Sequence, residues 1–163
     1  MKKLASLLLV AVIAFLAYFY AEAGWVVGKI PLNCVLLPDC NCIDAHIFSR
    51  TATQKQHLQS LLRLDYLFMV LYGFLLGFWC YMEMQCQKIF WLNNLLRLGL
   101  PLVFVVIAAD LIENFSLIHY LQSDNAEACI PFSFVVSVLK WAGLCVILLT
   151  LLVSISVRVA NKK

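Results

Sequence analysis

The sequence predicts an all-α fold, an integral membrane four-helix bundle with a long outward loop between its first and second helices. Three observations predict it. Of 163 residues, 64% are hydrophobic and 13% charged, about half the charged share of a soluble domain, and the mean hydropathy is +0.92. The apolar residues fall into four runs, each long enough for a helix that needs roughly 17 to 25 residues to cross a bilayer, the third so long that part of it must tilt or emerge. Basic residues gather at the ends of those runs. The length suits one small bundle, so a single membrane domain over 1–163 is expected, with the lipid bilayer as its surroundings. The formal charge of +3 is modest and its lysines are split between the chain ends, which excludes a basic surface of the kind that holds nucleic acid.

The first run, about 4–21, follows Lys2 and Lys3 and ends in Ala21-Glu22-Ala23. A basic start, an apolar stretch and small residues at the end are features of a cleaved secretory signal peptide, whereas a stretch longer than about 7 to 15 residues favours a retained helix. The second run, about 60–83, carries Gly73 and Gly77, a spacing that lets another helix approach closely and makes helix–helix association through these two positions an expectation. Residues 49–59, rich in Gln and Thr, read as an amphipathic lead-in to it. The third run, about 90–121, contains Pro101, where a kink is expected. The fourth, about 132–157, starts after Pro131 and ends at Arg158.

Orientation follows from the short loops. Lys2, Lys3, Lys88, Arg158, Lys162 and Lys163 fall on one side, and Lys29, Arg50 and Lys55 on the other. The excess side is cytoplasmic by the positive-inside rule, so both termini are expected there, in a cell membrane. The loop 22–59 and the shorter 122–130 then face outward.

Ionisable residues inside apolar helices are costly, so they mark interior partners and functional sites. Asp110 and Glu113 are three apart and Asn114 is four from Asp110, which places them on one helix face. Asp65 and Tyr72, seven apart, share a face of the second helix, and Ser133, Ser137 and Lys140 form a polar stripe on the fourth. The expected cluster is therefore Asp65, Tyr72, Asp110, Glu113, Asn114 and Lys140, in the outer half of the bundle. It either organises the packing or binds a proton, a cation or a lipid head group. A second possibility is a membrane-embedded hydrolase or transferase that uses the same carboxylates as acid and base. No spacing among them is a metal signature, and the residues leave any cofactor open.

The segment Leu64-Asp65-Tyr66-Leu67-Phe68 with Tyr72, followed by Ala109-Asp110-Leu111-Ile112-Glu113-Asn114, resembles a group of small bacterial multi-pass membrane proteins with an LDxLF…Y segment and a later DxxEN segment. The resemblance spans roughly 53–121. It implies that Asp65, Tyr72, Asp110, Glu113 and Asn114 form a shared core, and it names no reaction.

Four of the seven cysteines, Cys34, Cys40, Cys42 and Cys129, fall on the outward side, where disulfides are favoured. If all four are oxidised within one chain, a Cys40–Cys42 bridge is disfavoured by geometry, which leaves Cys34–Cys40 with Cys42–Cys129, or Cys34–Cys42 with Cys40–Cys129; the alternative is a free Cys129 with one local bridge in the first loop. Either pairing would clamp the two outward loops together. Outward cysteines also fit a quinone-linked thiol oxidoreductase, against which stands the absence of a C-x-x-C motif. Cys80, Cys86 and Cys145 read as free thiols or small apolar residues. His46, His57 and His119 are scattered, Arg97 with Asn93 and Asn94 reads as snorkelling to head groups, and Asn114-Phe115-Ser116 is a sequon too deep for use.

Overall fold

The computed structural model describes residues 7, 9–18, 21, 51–122 and 132–161. The fold is all-helical, with no strand among these residues: a short helix α1 (Leu9–Tyr18) and three long ones, α2 (Ala52–Cys86), α3 (Phe90–Gln122) and α4 (Phe132–Ala160). The three long helices are each long and apolar enough to cross a membrane, which fits a multi-pass membrane protein. The described part of α1 is too short to do so alone.

Helix α2 begins at Ala52, eight residues before the expected start. The polar lead-in is part of the same helix because Thr51 caps it: its hydroxyl accepts from the Gln54 backbone N–H, and the Gln54 side chain accepts from the Thr51 N–H. This reciprocal capping box satisfies two otherwise orphaned donors. At the other end the chain turns extended at Gln87. Asn93, on the first turn of α3, donates its amide to the carbonyls of Met84 (2.8 Å) and Gln87 (3.3 Å), which ties the end of α2 to the start of α3. Helix α3 continues through Pro101, whose missing N–H removes one rung from the ladder.

The buried faces repeat with alternating steps of three and four residues, the signature of left-handed helix packing. On α3 the buried positions include Leu92, Leu96, Gly99, Val103, Val106, Asp110 and Glu113. On α4 the row Ser137, Lys140, Leu144, Ile147, Leu151, Ser154, Arg158 has the same rhythm, polar at both ends and apolar between. Leu76 and Cys80 of α2, Leu96, Val103 and Val106 of α3, and Ile147 and Leu151 of α4 make the core. Helix α3 is the centre of the assembly, packed along both α2 and α4, which touch each other less.

Two glycines permit this closeness. A β-carbon on Gly143 would lie 2.6 Å from Cγ2 of Val106, and one on Gly73 would overlap the side-chain end of Ile107. Gly73 therefore serves contact with α3 inside the chain. A β-carbon on Gly77 would meet nothing within 4 Å among the described residues. The outward faces carry large apolar side chains, among them Phe74, Leu98, Phe104 and Leu149. A surface of this kind is suited to lipid contact. Helix α1 meets α2 near its middle, where Phe15 stacks on Phe68 with ring centroids 5.1 Å apart.

The cysteines of the expected clamp, Cys34, Cys40, Cys42 and Cys129, lie outside the described residues, as do His46 and the side chain of Ser133. Among the described residues no disulfide is formed, and Cys80, Cys86 and Cys145 are free thiols.

Candidate functional site

Lys140 joins the two carboxylates of α3. Its ammonium lies 2.6 Å from Oε2 of Glu113 and 3.1 Å from Oδ1 of Asp110. The three-residue step from Asp110 to Glu113 stacks the carboxylates one turn apart on the face that α4 covers. Both are almost fully buried, and the lysine side chain is only 14% exposed. The second oxygen of Asp110 accepts a 2.8 Å hydrogen bond from the Tyr72 hydroxyl of α2. Ser137, wholly buried one turn before Lys140, hydrogen-bonds the Glu113 carboxylate. Asn114 donates its amide to Oδ2 of Asp65 at 2.5 Å, which links α3 to α2 a second time. The Tyr72 ring rests against Phe68, itself stacked on Phe15, so aromatic rings wall the cluster on the α1 side.

The six residues expected to cluster on sequence grounds fall into two bonded sets drawn from three helices, Tyr72, Asp110, Glu113 and Lys140 in one and Asp65 with Asn114 in the other. Asp65 does not touch Lys140. It is held by Asn114, within electrostatic reach of Asp110, Glu113 and Lys140.

The charge balance of this group decides what it can do. Three carboxylates face one ammonium, and no other charged side chain is bonded to them among the described residues. Fully ionised, the group would hold two uncompensated negative charges among apolar helices, a costly arrangement. Each bound proton or small monovalent cation removes one of those two charges and lowers that cost. Among the described residues no three His, Cys, Asp or Glu side chains are arranged to hold a metal ion.

A second polar group, not anticipated from the sequence, closes the opposite end. Glu83 of α2, buried to 3% exposure, pairs with Arg158 of α4 at 2.7 Å and accepts from the Ser154 hydroxyl at 3.2 Å. The Gln87 amide donates to the same hydroxyl oxygen at 3.1 Å. Here one carboxylate meets one guanidinium, so the group is neutral. The signal that reveals it is a matched spacing: Glu83 follows Asp65 by eighteen residues and Arg158 follows Lys140 by eighteen, with no charge between either pair. At 1.5 Å per residue the two groups lie about 27 Å apart, close to the roughly 30 Å of a bilayer's hydrocarbon.

Comparison with known proteins returns no match. Neither a family model, nor a curated protein, nor a solved structure is similar to this chain.

The remaining candidates stand apart from both groups. His119 is exposed on the last turn of α3, and His57 lies in the polar first third of α2. Arg97 is exposed and donates through Nε to Asn93 at 3.1 Å. In the sequon, Asn114 is buried against Asp65 and the Ser116 hydroxyl donates back to the Ile112 carbonyl, so neither side chain is available for glycosylation.

Proposed function

We propose that the chain is a multi-pass protein of a cell membrane, a bacterial inner membrane by its resemblance, with both termini cytoplasmic. In this reading the Asp65–Asp110–Glu113–Lys140 cluster, at the outer rim of the apolar belt, binds a proton. One observation carries it: two buried carboxylates share a single ammonium with the part-buried Asp65 within its electrostatic reach, while the charge-balanced Glu83–Arg158 pair at the other end of the same helices needs no further charge. The hydrogen-bonding partners Tyr72, Asn114 and Ser137 are neutral and so satisfy oxygens without cancelling charge. A site of this composition suits proton-coupled or proton-sensing behaviour near the outer surface, with Lys140 as the fixed counter-charge and one carboxylate as the exchangeable acid. Reporter fusions are expected to place the loop at Lys88 and the C-terminus in the cytoplasm, and an outward C-terminus would overturn the orientation.

Proton binding leaves a thermodynamic trace. If the folded state holds one more proton than the unfolded chain at neutral pH, its stability falls as pH rises, by about 1.4 kcal/mol per pH unit for each such proton. Unfolding in mild detergent between about pH 6 and 8 should show that slope. The D110N/E113Q double variant, which keeps His57 and His119, should lose it. A wild-type slope indistinguishable from that of the variant would contradict proton binding by the cluster.

A further inference from the structure

The inner end of the bundle carries a groove that the carboxylate cluster does not use. It lies where α2 turns into α3, has a volume of about 260 Å³, and is lined by Gln87, Lys88, Phe90, Asn93, Asn94 and Arg97. Two of these residues are cationic and none is acidic. Glu83, the carboxylate nearest to Lys88 in sequence, is buried and already engaged by Arg158 and Ser154. Among the described residues Arg97 is hydrogen-bonded only through its Nε, to Asn93, so its two terminal nitrogens have donors to spare. The Asn93 amide is committed to the carbonyls of Met84 and Gln87, which fixes the groove floor, while Asn94 presents a further amide.

The surroundings select among anions. Phe90 is 79% exposed and Trp91 56%, an aromatic pair of the kind that sits at the boundary between head groups and hydrocarbon. Leu95 and Leu98 continue the same helix outward as exposed apolar surface, where acyl chains would lie. Lys88 and Arg97 stand at the end of α2 that bears the Glu83–Arg158 pair, close to one edge of the apolar belt.

We infer that this groove binds the phosphate of an anionic phospholipid, with Lys88 and Arg97 as its cationic contacts, Asn94 as an amide donor and the Phe90–Trp91 edge against the glycerol and upper acyl chains. A free phosphate would use the same two cations but gain nothing from the exposed aromatic and leucine surface. The site rests on the membrane reading above and is independent of proton binding by the carboxylate cluster.

The test reconstitutes the full chain in phosphatidylcholine vesicles with and without phosphatidylglycerol, extracts it in mild detergent, and counts retained lipids by native mass spectrometry. The wild type is expected to retain phosphatidylglycerol in preference to phosphatidylcholine. The K88Q/R97Q variant should lose on the order of 30-fold of that preference, about 2 kcal/mol for two basic residues, whereas K88R/R97K and the distant control R63Q should keep it. Raising the salt should weaken the wild-type preference, a readout that does not depend on any variant folding. Equal retention of both lipids by the wild type, or undiminished preference in a folded K88Q/R97Q, would overturn the site. Displacement of the lipid by inorganic phosphate at comparable concentration would overturn the assignment to a phospholipid. Failure of the chain to enter vesicles of either composition would overturn the membrane reading as well, while entry without lipid preference removes the groove site alone.

Discussion

Replacing Lys140 by methionine is expected to destabilise the fold by about 3 to 5 kcal/mol, the range found when one partner of a buried ion pair is removed. Methionine preserves much of the apolar stem, so the loss reports the ammonium rather than the volume. Its removal leaves Asp110 and Glu113 facing each other and Asp65 with no nearby cation among the described residues. The same substitution combined with Asp110→Asn and Glu113→Gln should recover most of the stability, because the carboxylates that needed the ammonium are then neutral. Thermal unfolding in detergent checks both. A K140M protein as stable as the wild type would show that the lysine is not the counter-charge of the cluster.

Arg158→Ala should be the second most damaging single change, at about 3 kcal/mol, the lower end of the same range. The guanidinium side chain is about a third exposed, so water and head groups offset part of its loss. Glu83 has no such recourse, since it is buried and its remaining partner, Ser154, carries no charge. Combining Arg158→Ala with Glu83→Gln should recover stability, because glutamine can still accept from Ser154 without stranding a charge. A double-mutant cycle on Glu83 and Arg158 gives the coupling directly. Additive effects of the two substitutions would mean that the 2.7 Å contact does not act as a pair.

These two groups differ in how far the sequence discloses them. Asp110, Glu113 and Asn114 can be assigned to one face of α3 from their spacing alone, and Lys140 is conspicuous as a charge within an apolar run. Partner choice is not legible in the same way. That Tyr72 serves Asp110 and that Asn114, rather than Lys140, serves Asp65 depends on the relative rotation and height of α2 and α3, which Gly73 against Ile107 sets at short range. Glu83 escapes notice because a charge at the end of an apolar run reads as an interface residue, and only the eighteen-residue match with Arg158 shows that the two meet. The start of α2 is a different case. Hydropathy ends the helix near Ser60, yet the Thr51–Gln54 capping box extends it by two turns of polar sequence that no apolar criterion can register. Gly143 carries no periodic signal of its own, although Val106 lies close enough that a β-carbon there would collide with it.

The central claim is that the Lys140 cluster holds a proton on one of its three carboxylates, and difference infrared spectroscopy of the full chain in vesicles tests it most directly. Recorded at neutral pH, the spectrum should contain a protonated-carboxyl band that shifts on deuteration. That band should disappear or move in one of D65N, D110N and E113Q, and it should bleach as the pH is raised. A spectrum with only ionised carboxylate bands at neutral pH, unchanged by any of the three substitutions except in intensity, would contradict the account.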